Sequence, residues 1–191
     1  MTFSTRALAR TTLLFVFTLT VAMTAQAGQV RGDAFSVTLP DGFGNAQQQK
    51  QTVNSPSGPI NVVTYISKSA DGSAVILGYS QFSGKITDPG ATLASGRDSL
   101  LKSLGAVAKS ERNVKVSGHP GRTFLYSASN PRPVFGRTDL VVVGPRMYQL
   151  VYLGFEQDGI EKDDVQNMFS TFKVSEIDTK GGGGVSQASA N

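Results

Sequence analysis

The residue types that most often carry out chemistry in proteins are scarce in this chain of 191 residues. It contains no cysteine and one histidine, which excludes disulfides, thiolate metal sites and cysteine nucleophiles, and leaves one imidazole for general-base catalysis. That histidine, His119, lies between Gly118 and Pro120, a context that predicts a surface turn. No Gly-x-Ser-x-Gly motif is present to supply an activated serine. We therefore expect no catalytic residue, no metal site and no cofactor.

Four charged residues are the candidates for a ligand or partner contact. Arg122, Arg137, Asp139 and Arg146 lie at or near the ends of strands that we expect to be central in the sheet. In one interpretation the arginines line a groove for an anionic ligand or an envelope partner. In the other, Asp139 pairs with a neighbouring arginine across strands, which contributes at most about 1 kcal/mol when the pair is exposed. The second interpretation is favoured because surface ion pairs are common.

The first 27 residues have the three parts of a secretory signal peptide. Arg6 and Arg10 precede an apolar run over residues 13–23, and Ala25 and Ala27 form an A-x-A cleavage site. The apolar run is short of the roughly 20 residues that span a bilayer. We expect a mature protein that begins at Gly28, has no membrane span and is periplasmic or secreted.

The remaining chain is expected to be one domain, residues 28–177, followed by a flexible Gly- and Ser-rich tail, residues 178–191. Two of the 18 basic residues belong to the signal peptide and all 14 acidic ones do not, so the formal charge falls from +4 to +2 on cleavage. No window of the sequence collects five or six like charges, which argues against nucleic acid as a partner.

Strands account for most of the predicted domain. Alternating or continuous apolar residues indicate strands at residues 35–39, 60–66, 74–82, 109–116, 121–127, 134–143 and 147–155, with a short one at 173–177. The polar stretch at 47–53 is expected to form a hairpin with 60–66. The loop over residues 54–59 is expected to be too long for a tight turn. The strands at 134–143 and 147–155 lack alternation, so we expect them to be central in the sheet and covered on both faces.

Two amphipathic helices can supply that cover. The first has Asp88 as its N-cap, Pro89 at its first position and Gly105 at its end. The second is expected to begin at Asp158, with Glu161 completing a capping box. We expect a single core that contains Leu101, Leu104, Val142, Leu150, Val151, Val165 and Phe169. The predicted fold class is α+β, an antiparallel sheet with amphipathic helices packed on it as an α/β/α sandwich.

The chain resembles the PsbP-like fold, which is shared by the PsbP subunits of photosystem II, Ran-binding Mog proteins and exported bacterial proteins of the DcrB and LpqN kind. The resemblance is carried by four short segments, FSVTLPDGF at 35–43, GHPGR at 118–122, RMYQLVY at 146–152 and MFSTFKV at 168–174. It implies the sandwich fold and a non-catalytic role, and it carries over no metal-binding pattern.

Two classes of function follow. The first is an exported, non-enzymatic binding or assembly factor of the bacterial cell envelope, with an envelope protein or a small ligand as its partner. The alternative is a small-molecule carrier, or a hydrolase whose carboxylate, serine or lysine site is assembled only in the fold. A shallow groove with an apolar patch would support the first class, and a deep apolar pocket with convergent polar groups the second.

We predict that signal peptidase cleaves after Ala27, because Ala25 and Ala27 are the small residues that its site requires. The exported protein should therefore begin at Gly28, as measured by intact mass or N-terminal sequencing. A bulky residue introduced by Ala27→Leu should block the cleavage. A mature product that retains residues 1–27 would show that the segment is kept as an anchor.

Overall fold

The computed structural model describes residues 28–55, 58–129 and 132–177, and the predicted signal peptide and tail lie outside them. The described residues form ten strands, two α-helices and one 3-10 turn, Asp158–Glu161. The strands are β1 Gln29–Gly32, β2 Phe35–Thr38, β3 Gln47–Ser55, β4 Gly58–Lys68, β5 Ala74–Gln81, β6 Val107–Val116, β7 His119–Ala128, β8 Val134–Val143, β9 Arg146–Gly154 and β10 Lys173–Val174. The helices are α1 Pro89–Leu104 and α2 Asp163–Thr171. The expected α+β class with an antiparallel sheet is confirmed.

Seven strands form the main sheet in the order β3-β4-β5-β9-β8-β7-β6, and every neighbouring pair is antiparallel. Strand β9 is the middle strand and β8 lies beside it, as their lack of alternation predicted. Leu140, Val141, Val142 and Val143 are all buried although successive side chains of a strand point to opposite faces. Both faces of the sheet are therefore covered at its centre.

The sheet separates two hydrophobic cores, so the expectation of one core was wrong. Leu140 and Val142 pack on one face with Leu93 of α1, whereas Val141 and Val143 pack on the other face with Met168 of α2. The residues expected in a single core are divided between the two faces, and Leu101 and Leu104 of α1 are only half-buried. A sheet keeps the side chains on its two faces apart, which makes two cores unavoidable.

A second, three-stranded sheet helps to cover the α2 face. Its order is β1-β2-β10, so the first predicted strand belongs to this small sheet and not to the large one. Phe35 and Val37 of β2 join the core that contains α2, and the backbone N–H of Thr38 donates to Thr171 Oγ1 over 3.1 Å. Strand β1 was not predicted from the sequence, because Val30 is its one apolar residue.

Helix α1 follows its sequence signals closely. The Asp88 carboxylate accepts a hydrogen bond from the backbone N–H of Ala91 over 2.9 Å, and Pro89 is the first helical residue. Gly105 ends the helix in the left-handed conformation with φ of 59°, which glycine adopts at little cost. The predicted bounds of this helix are confirmed.

The second helix does not begin where the capping box placed it. Residues Asp158–Glu161 form the separate 3-10 turn, Lys162 has an extended ψ of 138°, and α2 begins at Asp163 without a side-chain cap. The break at Lys162 turns the chain so that Ile160 is buried in the same core as α2. Burial of Ile160 therefore outweighs the local preference for one continuous helix.

Two predicted loops are shorter than expected. Strands β3 and β4 pair as far as Ser55 and Gly58, so only residues 56 and 57, which lie outside the described residues, connect them. Ser117 and Gly118 have positive φ values of 50° and 84°, as in a two-residue hairpin turn. His119 is therefore the first residue of β7, opposite Val116, and not part of the turn.

Tyr126 shows how closely the α1 face is packed. Its ring is buried against Phe124, and burial raises the pKa of its hydroxyl to about 12, although the hydrogen bond with Thr138 opposes the shift. The residue opposite Tyr126 on β8 is Gly136, where a Cβ atom would lie 2.4 Å from the ring. Only glycine leaves this space free.

We predict that Phe169→Ala destabilises the domain by about 3 to 5 kcal/mol, because Phe169 is buried in the core that joins α2 to the sheet. The free energy of unfolding in urea measures the effect. Leu101→Ala, on half-buried Leu101 of α1, should cost distinctly less. Equal losses in the two variants would contradict the assignment of Phe169 to a closed core.

Candidate functional site

A groove lies on the α2 face of the sheet, over β6, β7 and β8. Its volume is about 730 Å³, and it extends from β6 to the 3-10 turn and α2. The helix α2 packs on β2 of the small sheet, and the outer strands β6 and β7 lie beyond it. The groove is thus the part of this face that the second helix and the small sheet leave open.

Strand register places the groove residues on one face. Ser110 of β6 lies opposite Leu125 of β7, and Leu125 lies opposite Arg137 of β8. Directly opposite residues of antiparallel strands share a face, so the three side chains point the same way. Leu125 and Phe135 are half-buried and give the groove an apolar floor.

Arg137 is the candidate residue that lies in this groove. Its Nε is 3.4 Å from Asp139 Oδ1, its Nη1 donates to Gln166 Oε1 over 2.8 Å, and its guanidinium stacks on the Phe169 ring at 3.9 Å. Asp139 is buried. The pair joins two residues of the same strand and not of neighbouring strands, and it unites a half-buried arginine with a buried carboxylate. Through these contacts with Asp139, Gln166 and Phe169, Arg137 connects α2 to the main sheet.

Arg122 lies on the opposite face of the sheet, on the α1 side. Its Nη1 is 3.2 Å from Glu111 Oε1, and Glu111 also forms an ion pair with Arg97 of α1. The Arg122 Nε is buried and has no hydrogen-bond partner among the described residues. The network joins β6, β7 and α1, and the sheet separates it from the groove.

Arg146 lies at a third place, where the small sheet meets the large one. Its Nη2 donates to Asp33 Oδ2 over 2.9 Å, and its guanidinium stacks on the Tyr79 ring at 4.0 Å. Burial opposes the positive charge, but hydrogen bonds with Tyr148 and Asp33 outweigh it and raise the pKa of the guanidinium. Since Asp33 follows β1, this residue links the two sheets.

The structure therefore brings together only Arg137 and Asp139 of the four candidates. Groove residues that sequence reasoning missed are Arg112 of β6, Glu161 of the 3-10 turn and Gln166 of α2. The alternation of β6 could have shown that Ser110 and Arg112 share a face. Nothing in the sequence showed that this face lies beside α2, because that depends on the order of the strands.

Within 28–55, 58–129 and 132–177, no three His, Asp or Glu side chains are grouped closely enough to hold a metal ion. In the same ranges neither helix is long and apolar enough to cross a membrane.

No protein-family model matches the chain, and no curated protein matches it significantly. Among solved structures, the chain is similar to cyanobacterial PsbP (CyanoP) from Synechocystis sp. PCC 6803, studied in solution, with a TM-score of 0.47 and 13% sequence identity. The match covers 82% of this chain and 98% of that chain. CyanoP is one of the PsbP-like proteins that the sequence resembles, and nothing about activity or partners follows from the likeness.

We predict that Arg137→Met destabilises the protein by about 3 to 5 kcal/mol, because it leaves the Asp139 carboxylate buried without its partner. The double variant Arg137→Met with Asp139→Leu should recover most of the loss, since no unpaired charge then remains. Unfolding in urea at neutral pH measures both.

The matched control is Arg112→Met in the same groove. The Arg112 side chain is exposed and makes no hydrogen bond or ion pair with a described residue, so its replacement should change stability by less than about 0.5 kcal/mol. If the two single variants lost the same stability, the structural role of Arg137 would be wrong.

Proposed function

We propose that the protein is an exported, non-enzymatic binding factor of the bacterial cell envelope that holds its partner in the groove over β6, β7 and β8. The proposal rests on the composition of the groove. It combines the apolar floor of Leu125 and Phe135 with charged and amide side chains around it, and binding surfaces commonly have an apolar centre within a polar rim.

Two oppositely charged groups of the groove are available to a partner. Arg112 on β6 and Glu161 on the 3-10 turn line the groove, and neither side chain forms an ion pair or hydrogen bond with a described residue. Arg137, in contrast, is occupied by Asp139 and Gln166. A polypeptide segment with one apolar side chain for the floor and a carboxylate for Arg112 fits this arrangement.

The proposal also includes the location of the protein and the arrangement of its layers. The periplasmic or secreted location rests on the signal features of residues 1–27. The two cores on opposite faces of the sheet support an α/β/α sandwich in which α2 and the small sheet form one outer layer and α1 the other. The groove then opens at the border of the α2 layer.

A small-molecule carrier is the second candidate, because a volume of about 730 Å³ lies within the usual range of roughly 300 to 1,000 Å³ for ligand pockets. A hydrolase has less support. The single imidazole, His119, begins β7 and is not among the residues that line the groove.

We predict that filling the groove by Ser110→Trp abolishes capture of the partner. The protein with an affinity tag is exported in its own host, and bound envelope proteins are identified after cross-linking. The matched control is Asn113→Trp on the same strand. Asn113 lies opposite Arg122 on the α1 face, so the partner should be retained by the unsubstituted protein and the control, and lost from Ser110→Trp.

Other results would favour the alternatives or contradict the proposal. A small molecule that is retained in native mass spectrometry and displaced by Ser110→Trp would favour the carrier. Equal capture by both tryptophan variants would show that the groove is not the binding site. Turnover in a hydrolase screen that is lost in His119→Ala would overturn the non-enzymatic role.

A further inference from the structure

The two edge strands of the main sheet differ in how they are protected against pairing with another chain. Strand β6 has four charged residues, Lys109, Glu111, Arg112 and Lys115, and its pairing with β7 is irregular between Ala108 and Ser110. Charges and bulges are the usual means by which a sheet edge avoids association. Edge β6 is therefore well protected.

Strand β3 at the other edge has almost none of this protection. Its nine residues carry one charge, on Lys50, and they pair with β4 without interruption from Gln47 to Ser55. An edge strand presents a row of unpaired backbone N–H and C=O groups. A long, regular and nearly uncharged edge such as β3 is a template for one more strand.

The sequence of β3 suits antiparallel pairing with its own copy. When Gln51 lies opposite Gln51 of a second chain, all nine residues find partners and each position pairs with one of the same parity. Along an edge strand, every second residue directs its backbone N–H and C=O groups away from the neighbouring strand. In this register those residues of the two chains lie opposite each other, so they can exchange hydrogen bonds. No other antiparallel register uses the whole strand.

Charge favours the same register. With Gln51 at the centre, Lys50 lies opposite Thr52 of the second chain, and no two charged side chains are directly opposed. A register shifted to place Lys50 at the centre would set the two lysines against each other, which is unfavourable. Val53, which is 40% exposed, would gain Gln49 of the second chain as its neighbour.

We infer that the protein forms a two-fold symmetric dimer in which β3 pairs with β3 of a second copy, centred on Gln51, so that the two main sheets become one continuous sheet. A two-fold contact of this kind uses the same surface on both chains and closes after two copies. Strand β6 and the groove lie at the far edges, so the dimer leaves both grooves open. The inference is independent of what the groove binds.

Cross-linking through an introduced cysteine tests the register. The chain has no native cysteine, and directly opposite residues of antiparallel strands have Cα atoms about 4.5 to 5.5 Å apart, within disulfide range. We predict that purified Gln51→Cys protein oxidises readily to a covalent dimer. The control Gln47→Cys places the cysteine at the end of the same strand, opposite Ser55 of the second chain and far from its own copy, and should remain monomeric on the gel.

A charge substitution tests the association itself by sedimentation equilibrium. Thr52→Lys sets a second lysine opposite Lys50 and should weaken the dimer at least tenfold, whereas Thr52→Glu adds an attractive partner and should strengthen it. Both variants lose the exposed hydrogen bond from Thr52 Oγ1 to Asn61 Oδ1. The loss of this bond therefore affects both proteins, and a difference between their dimer dissociation constants reports the introduced charge. The same changes at Val107, an exposed residue of the other edge, should have no effect. A monomer at all concentrations, or equal cross-linking of both cysteine variants, would overturn the inference.

Discussion

Leu140 to Val143 are successive apolar residues of β8, and successive side chains of a strand point to opposite faces of a sheet. This segment can be removed from water only if other elements pack on both sides. Helix α1 supplies one cover through Leu93, and α2 with the small sheet supplies the other. The positions of α1, α2 and the small sheet therefore follow from the need to cover both faces of the main sheet at its centre.

The limited amount of cover also explains why part of the main sheet stays open. Two helices and a small sheet are enough for the middle strands of the seven-stranded sheet, and not for its outer ones. Strands β6 and β7 keep a half-buried apolar floor at Leu125 beside α2, and β3 keeps a free edge. The groove thus follows from the limited cover, whereas the edge of β3 at the opposite end of the sheet is open because no further described strand pairs with it.

Local signals in the sequence were sufficient for features that depend on a few adjacent residues. Asp88, Pro89 and Gly105 predicted both ends of α1, and the missing alternation of β8 and β9 predicted their central position. The break at Lys162 was not predictable, because it serves the burial of Ile160 against residues that are distant in sequence. Short β1 is a strand only because β2 lies beside it.

The candidate site was harder to predict from the sequence for a similar reason. Arg122, Arg137 and Arg146 look alike in sequence, but one faces α1, one fastens α2 and one joins the two sheets. Their separation depends on strand order and on which face each residue occupies, and a shift of one residue reverses the face. The positions of these residues in the sequence indicated that they lie near the central strands, but contained no information on how they are grouped.

The small sheet joins the two ends of the described chain. Strand β2 needs β10 as its partner, with Val174 opposite Phe35, and the backbone N–H of Ser175 donates to the Ala34 carbonyl over 2.9 Å. A chain that is synthesised from its amino terminus cannot complete this sheet until its last strand has emerged. Until then Phe35, which lies among the rings of Tyr65, Tyr79 and Tyr148, lacks Val174 as its neighbour on β10. Pairing of β10 with β2 is therefore the last step that can complete the described domain.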